Sequence, residues 1–330
     1  MTVLSSKLLE IDAVEVAHGM EESIRRIVLH RFRRRGAVVG LSGGVDSSVT
    51  AAICARALGK EKVFGVLMPE QDSSKESLEL GHMVAESLGI RSAVEDIGPT
   101  LKALGCYERR DEAIRKMVPE YGEGWKSKIV LPSLAQGSSY ALFSLVVQSP
   151  SGEIKRVRLS SEAYLGIVAA TNFKQRTRKM IEYYHADRLW HAVAGTPNRL
   201  EYAQGFFVKN GDGSADFKPI AHLYKSQVYQ LGRYLGVPEE VLRRPPTTDT
   251  YSLEQSQEEF YFSVSLGTLD LCLFGKNNGI AISEIASATG LTSAEVEQVY
   301  AMIDSKLRAT RYLHAPPQLL GDVKEVALHD

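Results

Sequence analysis

Apolar residues recur at helical spacing from Ile11 to Phe32, after which the chain alternates short apolar runs with longer amphipathic segments. Val38 to Leu41 reads as a buried strand, and Val49 to Leu58 as a helix closed by Gly59. Val63 to Met68 predicts a second strand ended by Pro69, Ser77 to Leu88 a helix ended by Gly89, and Arg91 to Ile97 a third strand. Further on, Asn172 to Trp190 is helical, His191 to Gly195 a fourth strand, Phe217 to Ile220 a fifth, and Lys225 to Leu235 a helix. Strands that alternate with helices predict an α/β fold, a doubly wound parallel sheet flanked by helices. Ligands of such sheets lie beyond the C-terminal strand ends, where the strand order reverses.

Two regions depart from this alternation. Tyr140 to Val147, a turn over Gln148 to Glu153, and Ile154 to Leu159 predict a β-hairpin, which would lid a site, pair with another subunit or elaborate the surface. Ile282 to Val296 has the helix, glycine, turn, helix order of a DNA reader. Charge excludes that use, because Ala294 to Asp304 carries Glu295, Glu297 and Asp304 and no Lys or Arg. No internal repeat or low-complexity segment interrupts the chain.

Composition narrows the class further. The 330 residues carry a formal net charge of -1, which gives no global attraction to nucleic acid or membrane. No apolar run reaches membrane-spanning length and the N-terminus lacks a basic segment followed by an apolar core, so a cytoplasmic location is expected. Cys54, Cys106 and Cys272 are scattered without metal-ligand spacing and are expected to be reduced packing residues. His30 to Arg35 is a basic run suited to a helix C-terminus.

The candidate chemistry begins at the end of the first strand. Gly40-Leu41-Ser42-Gly43-Gly44-Val45-Asp46-Ser47-Ser48 joins strand to helix through a turn in which Gly43 and Gly44 let backbone N–H groups approach an oxyanion. A Walker A loop would need a lysine before its last hydroxyl residue, and Asp46 stands in that region. A carboxylate inside a phosphate cradle requires a cation between the two, so Asp46 is expected to meet Mg²⁺ bridging pyrophosphate oxygens. The competing reading is a glycine-rich turn in which Asp46 only caps the helix.

This loop resembles the SGGxDS loop of the ATP pyrophosphatases, which cleave ATP between its α and β phosphates and adenylate an oxygen of their substrate. Gly195-Thr196-Pro197-Asn198-Arg199-Leu200-Glu201, continued by Gly205-Phe206-Phe207-Val208-Lys209-Asn210-Gly211-Asp212-Gly213 and Asp216, narrows the resemblance to the NAD synthetases. That family amidates nicotinic acid adenine dinucleotide (deamido-NAD) with ATP and ammonia through an adenylated carboxylate. The resemblance implies an adenine nucleotide α-hydrolase-like fold. It assigns ATP to Gly40, Leu41, Ser42, Gly43, Gly44, Val45, Asp46, Ser47, Thr196, Lys225 and Thr247, deamido-NAD to Arg176, Lys209 and Asp216, and Mg²⁺ to Asp46 and Glu201. Asp46 and Lys225 are the expected catalytic pair, with Mg²⁺ and lysine charge opposing the charge that grows on departing pyrophosphate.

The resemblance also implies a homodimer, and it covers the chain as one domain over residues 1–330. That domain would carry an insertion at 121–166 and a helical C-terminal extension at 277–330 packed on the synthetase core. The roughly 36 residues before the loop cannot form a glutaminase domain, so free ammonia or ammonia from a separate subunit is the expected nitrogen source. The sequence departs from the family pattern in two places. Aromatics replace small residues over Leu253 to Phe262, and Tyr312-Leu313 stands where a His-Lys pair helps to hold substrate. The alternatives left open are another ATP-pyrophosphatase amide or thio ligase acting on a different carboxylate or carbonyl, and an ATP-binding regulatory module.

Overall fold

The computed structural model describes residues 6–130, 143–247, 250–256, 264–321 and 323. The first long helix, α1 (Ala13–Arg25), is capped by Asp12, whose carboxylate accepts from the N–H groups of Val14 and Glu15, and it runs on into a π-helical turn over Arg26–Arg31. The expected alternation follows as β1 (Ala37–Gly40), α2 (Val45–Leu58), β2 (Val63–Leu67), α3 (Lys75–Leu88) and β3 (Arg91–Val94). Two shorter helices, α4 (Gly98–Ala103) and α5 (Cys106–Arg115), lead to a separate set of strands, β4 (Lys126–Val130), β5 (Ser144–Gln148) and β6 (Ile154–Arg158). The chain returns to the main sheet through α6 (Ser161–Leu189) and β7 (Ala192–Ala194). It ends in helices α7 (Arg199–Gln204), α8 (Lys225–Tyr234), α9 (Glu239–Arg243), α10 (Leu266–Asn277), α11 (Ile282–Thr289) and α12 (Ser293–His314).

The main sheet is parallel, in the order β3-β2-β1-β7, with Val38 of β1 opposite Phe64 on one side and Val193 on the other. The order turns back at β1, so the crevice between the ends of β1 and β7 is the topological switch point. Alternate residues of β1 serve opposite faces. Ala37 and Val39 pack with Met20, Ile53 and Leu231 of α1, α2 and α8, whereas Val38 packs with Leu101, Cys106 and Ala186 of α4, α5 and α6. Helices on both faces explain why the strands are apolar throughout.

Three expectations are revised by tertiary packing. The fifth strand shrinks to a single parallel bridge between Ala194 and Phe217, because Pro219 has no N–H to continue a ladder. The hairpin forms in the expected antiparallel sense but is part of a three-stranded sheet, β4-β5-β6, whose lysine-bearing first strand has little apolar signature. Residues 140–142 of that run lie outside the described residues. The fourth helix pattern begins at Ser161, well before Asn172, because Ser160 caps it by accepting from the N–H of Ala163.

The small sheet is fastened to α5 and α6 by Ile114, Leu145, Val147, Leu159 and Ile167. The helix pair that resembles a DNA reader buries Ile285, Val296, Val299 and Ile303 against α10 and Leu200 of α7. Its inner face is thus used for packing. Among the described residues no helix is long and apolar enough to cross a membrane.

Gly205 marks where α7 meets this C-terminal unit. It has φ +70°, and a Cβ there would lie 2.3 Å from Cβ of Thr310 in α12. Gly205→Ala is expected to destabilise the protein by about 2–3 kcal/mol. Urea unfolding monitored by circular dichroism checks this through a lowered midpoint.

Candidate active site

A cavity of about 710 Å³ opens over the C-terminal edge of the main sheet. Its floor is the loop from Gly40 to Ser47. Gly43 has φ +74°, and a Cβ on it would sit 2.5 Å from the carbonyl oxygen of Ser77, so both backbone sign and close approach demand glycine. Within the loop, Ser42 N–H donates to Ser47 Oγ at 3.3 Å, and the Ser47 and Ser48 hydroxyls donate to the carbonyl of Gly44 at 3.0 and 2.8 Å. No side chain caps α2 at Gly44, which leaves the start of a 14-residue helix facing the cavity with its partial positive charge.

Asp46 is not the cap of that helix. Its carboxylate pairs with the ammonium of Lys225 at the start of α8 and accepts from Asn198 Nδ2 at 3.1 Å. Asn198 in turn caps α7, accepting from the N–H groups of Leu200 and Glu201 while its own N–H donates to Glu201 Oε2 at 3.1 Å. One capping box therefore sets both Glu201 and the amide that holds Asp46. Behind Lys225, the buried carboxylate of Asp270 accepts from the N–H groups of Lys225 and Ser226 at 3.2 and 2.8 Å. Burial pushes the carboxyl pKa of Asp270 up, against the pull of those N–H groups.

Burial also opposes the charge on Lys225, but Asp46 and then Glu201 outweigh it and hold its pKa above the ordinary lysine value. Lys225 is therefore a fixed cation at the loop. Asp46 and Glu201 both line the cavity, and among the described residues no cluster of three or more His, Cys, Asp or Glu could hold a metal. Two carboxylates suit a hard cation such as Mg²⁺ only if ligand oxygens complete its shell, the usual arrangement with nucleotide phosphates.

The remaining expected residues divide into two groups. Thr196, Arg176, Lys209 and Thr247 line the same cavity as the loop. Arg176 Nε donates to the carbonyl of Lys209 at 3.3 Å, and Lys209 Nζ donates to the carbonyls of Tyr312 and Ala315 at 2.8 and 3.0 Å. The chain lacking the His-Lys pair thus brings the carbonyl end of α12 to the same lysine. Thr247 faces Ser256 in an isolated antiparallel bridge. Asp216 stands apart: it is outside the cavity lining, and its carboxylate accepts from Val193 N–H at 2.7 Å and Tyr183 OH at 3.2 Å.

Several residues in the cavity lining or just behind it belong to no short motif of the sequence. Arg244 donates to the Ser74 and Ser77 hydroxyls, and Glu182 lies beside Gly40 while accepting from Lys179 at 2.6 Å. Lys174, fully buried, donates to Glu70 at 3.0 Å, Asp72 at 2.7 Å and the carbonyl of Thr250 at 2.9 Å. Arg110 completes that network at Asp72, and Tyr107 OH donates to Glu70 at 2.8 Å. A signal did exist in α6: Tyr164, Val168, Thr171, Gln175, Arg178 and Glu182 fall on one helical stripe, and all line the cavity.

Comparison with known proteins places this architecture. The family model described as NAD synthase matches residues 16–120 and 151–310. The NH(3)-dependent NAD(+) synthetase of Rhizobium meliloti (strain 1021) is 59% identical over 324 residues, covering 98% of this chain and 97% of that protein. The protein of the same name from Thermotoga maritima is 34% identical over 258 residues, 77% of this chain and 85% of its own length. Among solved structures, the NH3-dependent NAD synthetase of Campylobacter jejuni superposes with a TM-score of 0.62 at 22% identity, covering 94% of this chain and 100% of that one. The NMN synthetase of Francisella tularensis gives 0.64 at 21%, covering 94% and 99%. These two show the shared α/β fold. With the loop, the capping box and the family match in agreement, this chain belongs to the NAD synthase family.

Proposed function

We propose that this protein is an ammonia-dependent NAD synthetase, joining ammonia to the nicotinate carboxylate of deamido-NAD at the expense of ATP. The observation that carries the reading is the Asp46 and Lys225 pair set at the open start of α2, beside Glu201, in a chain 59% identical to a protein named for this reaction. A carboxylate oxygen attacks the α phosphorus of ATP, the bond to the β phosphate breaks and pyrophosphate leaves. Ammonia then attacks the acyl carbon, loses a proton, and AMP departs with the electron pair of the broken C–O bond.

The chain's residues serve these steps by position and charge. The loop N–H groups and the start of α2 hold polyphosphate, and Lys225 opposes the charge that grows on the leaving group. Asp46 and Glu201 would hold Mg²⁺, which when bound supplies further positive charge to the same phosphates. Thr196 and Thr247 complete the ATP side, while Arg176 and Lys209 serve the acceptor. Asp216 is proposed to act on the acceptor from outside this cavity lining, its carboxylate held in place by Val193 N–H and Tyr183 OH.

The reading extends to a cytoplasmic homodimer fed by free ammonia or by a separate ammonia-supplying subunit. Leu165, Met180 and Tyr184 leave apolar surface exposed along α6, which supports association through that helix. Sedimentation velocity is expected to give a dimer, and a monomer at micromolar concentration counts against it.

Incubation with Mg-ATP, ammonia and deamido-NAD is expected to yield AMP, pyrophosphate and NAD in equal amounts. Pyrophosphate without NAD would instead indicate a ligase for another carboxylate. Lys225→Met is expected to lower kcat by about 10²–10³, the range for losing one preorganised charge at a reacting centre, and also to lower the unfolding midpoint, because Asp46 is left buried without its partner. Asp46→Asn is expected to abolish AMP release, as is chelation of divalent cations with EDTA; undiminished AMP release in the variant overturns the role of Asp46.

A further inference from the structure

Lys225 supplies the glycine-rich loop with a cation from one flank. In the sheet order, α7 and α8 follow β7 on one side of β1, whereas α3 follows β2 on the other. On the α3 side stands Arg244, which lines the cavity together with Ser42, Gly44, Ser74 and Ser77. Its guanidinium donates to Ser77 Oγ at 2.9 Å and to Ser74 Oγ at 3.3 Å, and those two hydroxyls lie 2.9 Å apart. Ser77 also touches the loop: its carbonyl oxygen lies 2.5 Å from where a Cβ on Gly43 would sit. One serine therefore bridges the fork of Arg244 and the glycine turn.

The backbone of Arg244 is held on both sides. It directly follows α9, whose Val241 and Leu242 are buried in the same core as Val49 of α2. It directly precedes Pro245, and the residue before a proline is confined to extended backbone, as the observed φ of -65° and ψ of 126° show. The side chain is 11% exposed. Its acidic neighbour Glu76, with Oε2 3.4 Å from Nε, is 65% exposed and stands outside the cavity lining, so water screens that pair. Lys225 differs, because its charge is shared with the largely buried carboxylate of Asp46. The α3 flank thus presents positive charge that no carboxylate of the cavity floor is known to take up in this pairing.

Cleavage of ATP between the α and β phosphates leaves the electron pair of the broken P–O bond on the β phosphate, so negative charge grows where the loop holds the polyphosphate. A planar guanidinium can offer two parallel N–H groups to phosphate oxygens, which an ammonium cannot. We propose that Arg244 contacts the β and γ phosphates of ATP and holds the departing pyrophosphate, acting from the α3 flank of the loop while Lys225 acts from the α8 flank. The inference rests on the function proposed above. It assigns the polyphosphate a second cation, drawn from the segment that leads into Thr247.

Isothermal titration calorimetry tests it, with Mg-pyrophosphate and AMP titrated separately into wild type, Arg244→Met, Arg244→Lys and Glu76→Gln. Arg244→Met is expected to raise Kd for pyrophosphate about tenfold, the scale of one charge-assisted hydrogen bond, and to leave Kd for AMP unchanged. Arg244→Lys keeps the charge without the fork and is expected to fall between wild type and Arg244→Met; it carries the comparison if Arg244→Met has a lowered unfolding midpoint. Glu76→Gln removes only the screened partner and is expected to bind as wild type does. A purely structural role for Arg244 would weaken both ligands alike. Equal weakening of AMP and pyrophosphate, an effect of Glu76→Gln as large as that of the arginine variants, unchanged pyrophosphate binding in those variants, or no pyrophosphate binding by wild type overturns the inference. Binding needs no turnover, so a wild type that makes no NAD refutes the proposed function while this test still decides the role of Arg244.

Discussion

Asp46 and Lys225 carry opposite charges into a cavity floor where neither is stable alone. Side-chain exposures of 16% and 4% mean that removing one partner would leave the other desolvated, at a cost of about 3–5 kcal/mol. The pair therefore binds the loop after β1 to the start of α8, although the two residues lie far apart in sequence. Each partner is braced from a further element, Asp46 by Asn198 at the cap of α7 and Lys225 by Asp270 of α10 through the backbone. The loop is thus assembled by three helices besides its own. It also has the cation that its sequence lacks beside a Walker loop, delivered in space from α8.

The second organising element is α6. At 29 residues it is far longer than the strands it packs on, so its N-terminal half projects past the sheet and becomes a cavity wall. One stripe lines the site from Glu182 to Tyr164, while Lys174 on the same helix neutralises Glu70 and Asp72 and holds the carbonyl of Thr250. A buried lysine with two carboxylates and a carbonyl is stable because every charge has a partner. That network pins the segment after β2 and the segment after Thr247 to one rigid helix.

Much of the main sheet was legible because its strands are buried on both faces and its helices end in glycine at Gly59 and Gly89, where φ is positive. The loop chemistry was legible for a related reason: closely spaced residues that share one turn keep their relation in any fold. Lys209 and Arg176 were singled out through motif resemblance, and the structure puts both in the cavity lining and in contact. Phe217 to Ile220 read as a strand because an apolar run does not report that Pro219 interrupts its ladder. Strand β4 was missed for the converse reason: Lys126, Ser127 and Lys128 mask the two buried apolar residues, Ile129 and Val130, that end it on opposite faces.

Taken alone, the sequence determined the parallel α/β core, the glycine-rich turn after β1 and the residue types that line it, because periodicity, glycine placement and short motifs are local properties of a chain. Tertiary structure alone decided which distant groups meet. Partnering of Asp46 with Lys225 and Asn198, separation of Asp216 from the cavity, and delivery of Phe143 to the far end of α6 all depend on how helices and strands pack against one another. The physical reason is that buried charges and rings are placed by long-range packing, whose partners carry no fixed spacing along the chain.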